Sequence, residues 1–264
     1  GIGTGGRDLK MEVGGIMMLL GLQALQEDAD TRVLVLVSKP PADAVAQRIF
    51  EQAAASPKPT VVCFLGGDPR AAAGIPNVTP ARTLQECALL AATLVEPVYG
   101  GIPMMLQAQN ANLAQKARRL KAGLAASQRY LRGLFSGGTL CYEAQVIWRD
   151  MLAAPVHSNA PLPGGPALPD STRSLEHTTV DLGEEEFTVG RPHPMIDNDL
   201  RIRRLLQEAR DPETAVILLD VVLGYGSHPD PASELAPAVR QARQIAREAG
   251  RELAVLASEI GRAS

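Results

Sequence analysis

Two glycine-rich segments have the backbone freedom needed to bind an anion. Residues 3–8 read Gly-Thr-Gly-Gly-Arg-Asp and include an arginine that can pair with a phosphate or a carboxylate. Residues 136–139 read Ser-Gly-Gly-Thr and lie between a predicted strand and a predicted helix, whose first amides favour negative charge. A plain tight turn is the alternative for the first segment. The candidate substrate- or phosphate-binding residues are Gly3, Thr4, Gly5, Gly6, Arg7, Ser136, Gly137, Gly138 and Thr139.

The densest polar cluster lies at residues 191–197, which read Arg-Pro-His-Pro-Met-Ile-Asp. The flanking prolines restrict the backbone around His193, which suits a preorganised site. We therefore take His193 and Arg191 as candidate catalytic residues and Asp197 as a candidate binding residue. A histidine that only caps a loop is the alternative. Lys39 follows a predicted core strand and is a further candidate for anion binding, with a solvent-exposed lysine as the alternative.

No metal site is expected. The four histidines have no cysteine or carboxylate partners at the spacing of a zinc site. The three cysteines are widely spaced in apolar surroundings, which is typical of reduced thiols and favours a cytoplasmic location. A nucleophilic role for Cys141 is weaker than the role of a small buried residue.

Composition limits the classes of partner. The 264 residues are 45% hydrophobic and 21% charged, with a net charge of −3, so no general field attracts a polyanion or an anionic membrane. No apolar run reaches the roughly 18 residues that a membrane span needs. We expect a small anionic substrate and self-association or separate partner subunits, but neither nucleic acid nor membrane.

Apolar runs that alternate with helical periods predict an α/β fold built on parallel sheets. The helices are predicted at residues 13–26, 42–55, 84–94, 107–126, 140–152, 199–209 and 233–249, and the strands at residues 33–37, 60–65, 129–135, 215–223 and 252–257.

The same pattern predicts two domains, 1–98 and 129–264, joined by a connector helix within 99–128. Residues 155–170 hold five prolines and predict an exposed excursion in the second domain. An acidic turn before a buried strand occurs both at residues 28–31 and at 211–214, which favours duplication of a whole domain. The chain starts at a glycine within a loop and ends on a predicted strand, so we expect further residues at both ends.

Several motifs together resemble the FdrA family, whose members are similar to acyl-CoA synthetases of the succinyl-CoA synthetase superfamily. The resemblance spans nearly the whole chain. It is carried by residues 3–9 with 13–15, 37–41, 137–140, 189–197 and 219–222. It implies two flavodoxin-like ligase domains in this chain, after an upstream CoA-binding domain, with CoA and ATP bound through parts outside the chain.

The resemblance also exposes one departure. In succinyl-CoA synthetase a phosphohistidine sits on a Gly-His-Ala-Gly loop of the first ligase domain. Here the matching residues 65–71 read Leu-Gly-Gly-Asp-Pro-Arg-Ala, without a histidine. His193 belongs to the other predicted domain and does not simply replace it.

Three functions follow from the resemblance. The first is an acyl-CoA synthetase-like enzyme that handles an acyl phosphate or an acyl-CoA without the usual phosphohistidine. The second is a subunit of a carbamoyltransferase in ureide and purine breakdown, which acts on oxamate or oxalurate with carbamoyl phosphate. The third is a non-catalytic assembly subunit.

Overall fold

The computed structural model describes residues 1–97 and 102–261. The chain divides into two compact units, Gly1–Ala111 and Asn112–Ser264. The predicted boundary between residues 98 and 99 lies outside the described residues, and the predicted domains 1–98 and 129–264 stay a prediction.

Unit 1 contains a parallel three-stranded sheet in the order β1-β2-β3. Apolar side chains of α1 and α2 pack on one face of this sheet, and α3 contributes the buried Cys87. In chain order the elements are α1 (Ile16–Glu27), β1 (Leu34–Ser38), α2 (Asp43–Ala54), β2 (Thr60–Phe64), a 3-10 turn (Pro69–Ala72), β3 (Val78–Pro80) and α3 (Leu84–Val95).

Helix α4 (Ile102–Ala122) comes next, within the predicted connector. Its side chains from Gln107 onward are exposed. They include the basic residues Lys116, Arg118, Arg119 and Lys121, as expected for a solvated helix.

Unit 2 contains a parallel five-stranded sheet in the order β5-β6-β4-β7-β8. Its elements after α4 are β4 (Tyr130–Phe135), α5 (Gly138–Met151), β5 (Val156–Ser158), β6 (His177–Asp181), α6 (Glu185–Thr188), α7 (Asp199–Arg210), β7 (Thr214–Val222), α8 (Pro231–Glu248) and β8 (Ala254–Ile260).

Alternate residues of the unit 2 strands face opposite helical layers. Leu134 and Ile217 pack with the side chains of α7 and α8, whereas Phe135 and Leu218 pack with α5. The sheet is therefore covered on both faces, and the predicted α/β class with parallel, flavodoxin-like sheets is confirmed.

Strand β4 marks the point where the strand order changes direction. From β4 the chain runs to β5 and β6 on one side, and then crosses to β7 and β8 on the other. In open α/β sheets, ligands bind outside the carboxyl ends of the strands at such a switch point. The loops that follow β4, β6 and β7 therefore lie at the edge of the sheet where a ligand would bind.

The prediction for residues 155–170 is wrong in part. Val156–Ser158 forms β5, which pairs with β6, and Leu162 is buried. The side chain of Gln145 explains this, because its Nε2 donates to the carbonyl of Ala160 and its Oε1 accepts from the amide of Leu162. Hydrogen bonds from one buried amide side chain therefore hold this segment against α5, together with the burial of Val156 and Leu162.

Strands β3 and β6 and the short helix α6 were not among the predicted elements.

The two acidic turns, at residues 28–31 and 211–214, contain the same side-chain hydrogen bond. The hydroxyl of Thr31 donates to Asp28 at 2.5 Å, and the hydroxyl of Thr214 donates to Asp211 at 3.2 Å. No helix among the described residues is long and apolar enough to cross a bilayer.

Candidate functional site

The end of β4 is anchored to β7 by a buried carboxylate. Asp220 accepts hydrogen bonds from the amide of Ser136, at 2.9 Å, and from its hydroxyl, at 2.6 Å. Both residues are almost fully buried. The backbone register between these strands ends at Leu134 and Leu219, so the side chain of Asp220 continues the pairing where β4 leaves the sheet.

Helix α5 begins two residues later with its first amides uncapped. The N-cap Gly137 has extended backbone angles, φ −165° and ψ 162°, and has no side chain that could cap the helix. The amides of Gly138 and Thr139 begin the first turn of α5 and receive no side-chain cap from the N-cap residue. These amides and the dipole of a 14-residue helix provide a place for negative charge.

The loop after β6 reaches the same place through Gly183. A Cβ atom at Gly183 would lie 2.6 Å from the carbonyl oxygen of Ser136, 2.9 Å from Nε2 of His193 and 3.2 Å from Oδ1 of Asp181. Only glycine permits this close approach. The carbonyl oxygen of Ser136, Nε2 of His193 and Oδ1 of Asp181 therefore all lie close to Gly183. Ser136 directly precedes Gly137, the N-cap of α5.

The surroundings of His193 favour the neutral imidazole with its proton on Nε2. Burial lowers the pKa of the imidazole, and the carboxylate of Asp220 opposes this effect. The amide of Met195 donates to Nδ1 at 3.2 Å, which assigns the single proton of the neutral ring to Nε2. His193 thus presents an N–H donor toward Gly183 and has no free Nε2 lone pair to accept a phosphoryl group.

Arg191 and Asp197 flank His193 on the surface. Both residues are exposed, and Oδ1 of Asp197 accepts a hydrogen bond from the amide of Asp199 at 2.8 Å. Asp197 therefore forms a local turn where α7 begins. The carbonyl of Met195 accepts from the amide of His228, which joins this loop to the loop after β7.

In unit 1 the glycine-rich segment surrounds a different helix start. Gly3, Gly5, Gly6 and Arg7 are exposed and Thr4 is half-buried. The amide of Ala42 donates to the carbonyl of Leu9, which brings this loop next to the chain that follows Lys39. The segment and Lys39 therefore share one end of unit 1.

The start of α1 is already occupied by a carboxylate of the chain itself. The buried Asp8 accepts from the amide of Met17 at 2.9 Å and from that of Met18 at 2.8 Å. An anion bound at this end of unit 1 would have to use the loop amides and Arg7 rather than the first turn of α1.

The sequence did not indicate three residues of the unit 2 site. Asp181 and Gly183 follow the unpredicted strand β6, and Arg201 lies on α7 among other arginines. One signal was available for Arg201, because a carboxylate in the apolar strand at Asp220 requires a buried partner. Arg201 is that partner, with Nη2 2.7 Å from Oδ1 of Asp220.

The other candidate chemistry has structural explanations. Cys63, Cys87 and Cys141 are buried and form no disulfide. Cys141 lies 3.8 Å from the hydroxyl of Ser158. Within residues 1–97 and 102–261, no cluster of three or more His, Cys, Asp or Glu side chains could hold a metal ion.

Comparison with known proteins places this site within a recognised kind of domain. Residues 134–263 match the family model described as CoA-ligase, which supports the succinyl-CoA synthetase superfamily. The matched region contains Ser136, Gly183, His193 and Asp220.

A curated relative agrees over nearly the whole chain. The chain is 44% identical over 262 residues to the uncharacterized protein YahF of Escherichia coli (strain K12), a match that covers 98% of this chain. It covers 49% of YahF, so the chain spans about half the length of this relative.

Proposed function

We propose that this chain is the acyl-handling part of an FdrA-type, succinyl-CoA synthetase-like protein and that the start of α5 binds the phosphate of an acyl phosphate. The observation that carries the proposal is the uncapped start of α5 at the switch point of a sheet that matches CoA-ligase. A phosphate there would accept hydrogen bonds from the amides of Gly138 and Thr139.

The neighbouring side chains suit the chemistry of a mixed anhydride. The Nε2–H of His193 can donate to an oxygen of the acyl phosphate, and the exposed guanidinium of Arg191 supplies positive charge. Arg201 neutralises Asp220, which keeps this buried carboxylate from repelling the anion. These residues bind and orient the anhydride.

The reaction itself needs no protein-bound phosphoryl group. The thiolate of CoA would attack the carbonyl carbon, a C–S bond would form, and the C–O bond to phosphate would break with its electron pair on the phosphate. The products are an acyl-CoA and inorganic phosphate. We propose that the start of α5 binds a phosphate or a carboxylate. CoA and ATP would bind through parts outside this chain.

A second candidate is the carbamoyltransferase subunit. The tautomer of His193 and the lack of a histidine in residues 65–71 favour substrates that already contain the anhydride, such as carbamoyl phosphate. The amide nitrogen of oxamate would attack the carbamoyl carbon, lose a proton and release phosphate. Phosphate-dependent cleavage of oxalurate by this chain with its partner subunits tests this candidate.

Binding of anions to the chain tests the first candidate. We would measure the melting temperature with acetyl phosphate, carbamoyl phosphate, inorganic phosphate and oxamate, because a ligand that binds only the folded state must raise it. Thr139→Glu places a carboxylate at the second position of α5 and should abolish the shift.

Ala232→Glu is the matched control, since it adds the same charge at the second position of α8. It should keep the shift. Arg191→Ala and His193→Gln should each reduce the shift. Retention of the full shift in all three of Thr139→Glu, Arg191→Ala and His193→Gln would contradict the proposal, because the anion would then bind elsewhere in the chain.

A further inference from the structure

A buried ion pair lies directly behind the start of α5. Asp220 and Arg201 are each at most 4% exposed, and Arg201 donates to both the carboxylate and the backbone carbonyl of Asp220. Burial lowers the pKa of the guanidinium, and Asp220 opposes this. A buried pair of this kind contributes little net stability compared with apolar packing, so its position beside the β4–α5 junction calls for another explanation.

The direction of the hydrogen bonds supplies that explanation. Asp220 has one oxygen, Oδ1, that accepts from Arg201 and from the amide of Ser136, and another, Oδ2, that accepts from the hydroxyl of Ser136. The carboxylate of Asp220 therefore binds the guanidinium of Arg201 on one side and Ser136, at the β4–α5 junction, on the other.

We infer that Arg201 and Asp220 are positioning residues that fix the Ser136–Thr139 loop and thereby set the affinity of the α5 start for a phosphate-class anion. This inference rests on the proposed function for its ligand. The consequence is positional, because the bonds to the amide and the hydroxyl hold Ser136 at the end of β4, where its carbonyl oxygen lies beside Gly183. Gly137 then enters α5 from one direction only.

The chain contains a matched ion pair that lacks this connection. Arg204 lies one turn further along α7, is 5% exposed, and its Nε is 2.6 Å from Oε1 of Glu208. Its other partners are the carbonyl of Ser171 and the hydroxyl of Ser174. Glu208 also pairs with Arg132 of β4, at 3.2 Å, but among the described residues neither Arg204 nor Glu208 bonds to Ser136 or Asp220. Arg204→Lys therefore disturbs a buried pair on the same helix without touching Ser136.

The test compares Arg201→Lys with Arg204→Lys in two measurements. Lysine keeps the charge but not the planar fork that reaches two oxygens at once. In the first measurement, titration with acetyl phosphate, we expect the dissociation constant of Arg201→Lys to rise about tenfold and that of Arg204→Lys to change less than about twofold. Ser136→Ala, which loses only the hydroxyl bond to Asp220, should show a smaller rise in the same direction.

The second measurement needs no ligand. Amide hydrogen exchange at Gly137, Gly138 and Thr139 should accelerate in Arg201→Lys relative to wild type and to Arg204→Lys. Equal acceleration in both variants, or none in Arg201→Lys, would overturn the positioning role.

The two measurements separate the two proposals. If the wild type binds none of the anions, the proposed function fails, and hydrogen exchange alone decides whether Arg201 positions the loop. If the wild type binds and Arg201→Lys binds equally well, the positioning role fails and the proposed function stands.

Discussion

Helices α1 and α5 both begin at a glycine N-cap, and they satisfy their first amides in opposite ways. Asp8 reaches back from a loop and accepts hydrogen bonds from the amides of Met17 and Met18 within α1. In unit 2, Asp220 binds the amide of Ser136, which precedes α5, and leaves the helical amides to other partners. Asp8 binds the amides of the second and third residues of α1, whereas Asp220 binds an amide two residues before α5 begins, and this difference decides whether the carboxylate occupies the helix start.

The comparison also separates stability from binding. The Asp8 contacts make unit 1 a self-contained structure at that end. Asp220 instead holds the residue before the N-cap of α5 and does not occupy the first amides of that helix. We therefore expect changes at α1 to alter folding and changes at α5 to alter anion binding.

The largest expected effect on stability follows from removing the carboxylate of Asp8, which binds the first amides of α1. Asp8→Ala removes a buried carboxylate from two amides, and unit 1 should lose about 2–3 kcal/mol of unfolding free energy in urea denaturation. Asp43→Ala, in the exposed first turn of α2, is the control and should cost less than about 0.5 kcal/mol. Similar losses for the two variants would show that Asp8 does not close α1.

The next largest effect on stability comes from the close packing of Gly183 against Ser136 near the start of α5. In Gly183→Ala the new Cβ would meet the carbonyl of Ser136 at 2.6 Å, and unit 2 should lose about 1–3 kcal/mol by urea denaturation. Gly137→Ala has no atom within 4 Å of its Cβ and an extended φ, so we expect a change within about 0.5 kcal/mol. A neutral Gly183→Ala would mean that the β6 loop is free to move away from Ser136.

Acid should act on the two units differently. All four histidines belong to unit 2, and burial lowers the pKa of His177 and of His193. The unfolded chain then binds protons more readily as the pH falls below the usual histidine value of about 6.5, so the stability contributed by these neutral rings is present above that pH and is lost below it.

Hydrogen exchange at pH 7.5 and pH 5.5 measures this difference, after correction for the intrinsic exchange rates. Amides of β4 should lose protection at the lower pH by less than about 1 kcal/mol, and the loss should shrink in His177→Gln. The amides of β2 serve as the internal reference, because no histidine lies in unit 1. Unchanged protection of β4 would show that neither ring resists protonation.

The fold could be predicted where apolar periodicity is strong. Apolar runs form strands β1, β2, β4 and β7. Both ends of each of these strands lie within one residue of the predicted position. Strand β6 was missed because His177, Thr178 and Thr179 look polar. In the structure Nδ1 of His177 accepts from the amide of Leu131, 46 positions earlier in the chain, which no local pattern reveals. The hydroxyl of Thr178 donates to the carbonyl of Leu175, three positions earlier.

The candidate site divides in the same way. The Ser136–Thr139 loop and His193 could be selected by residue type and position before a helix or between prolines. That they meet at Gly183 depends on β6, and so could not be deduced without that strand. The different fates of Asp8 and Asp220 depend on contacts between residues 9 to 84 positions apart, which spacing in the sequence does not encode.

The most direct test follows individual amides by NMR while acetyl phosphate is added to the 264-residue chain. The account predicts saturable shifts of the amide signals of Gly138 and Thr139, with those of Met17 and Met18 unchanged. Shifts confined to Met17 and Met18, or no shift at Gly138 and Thr139 at any concentration, would contradict an open anion-binding start at α5.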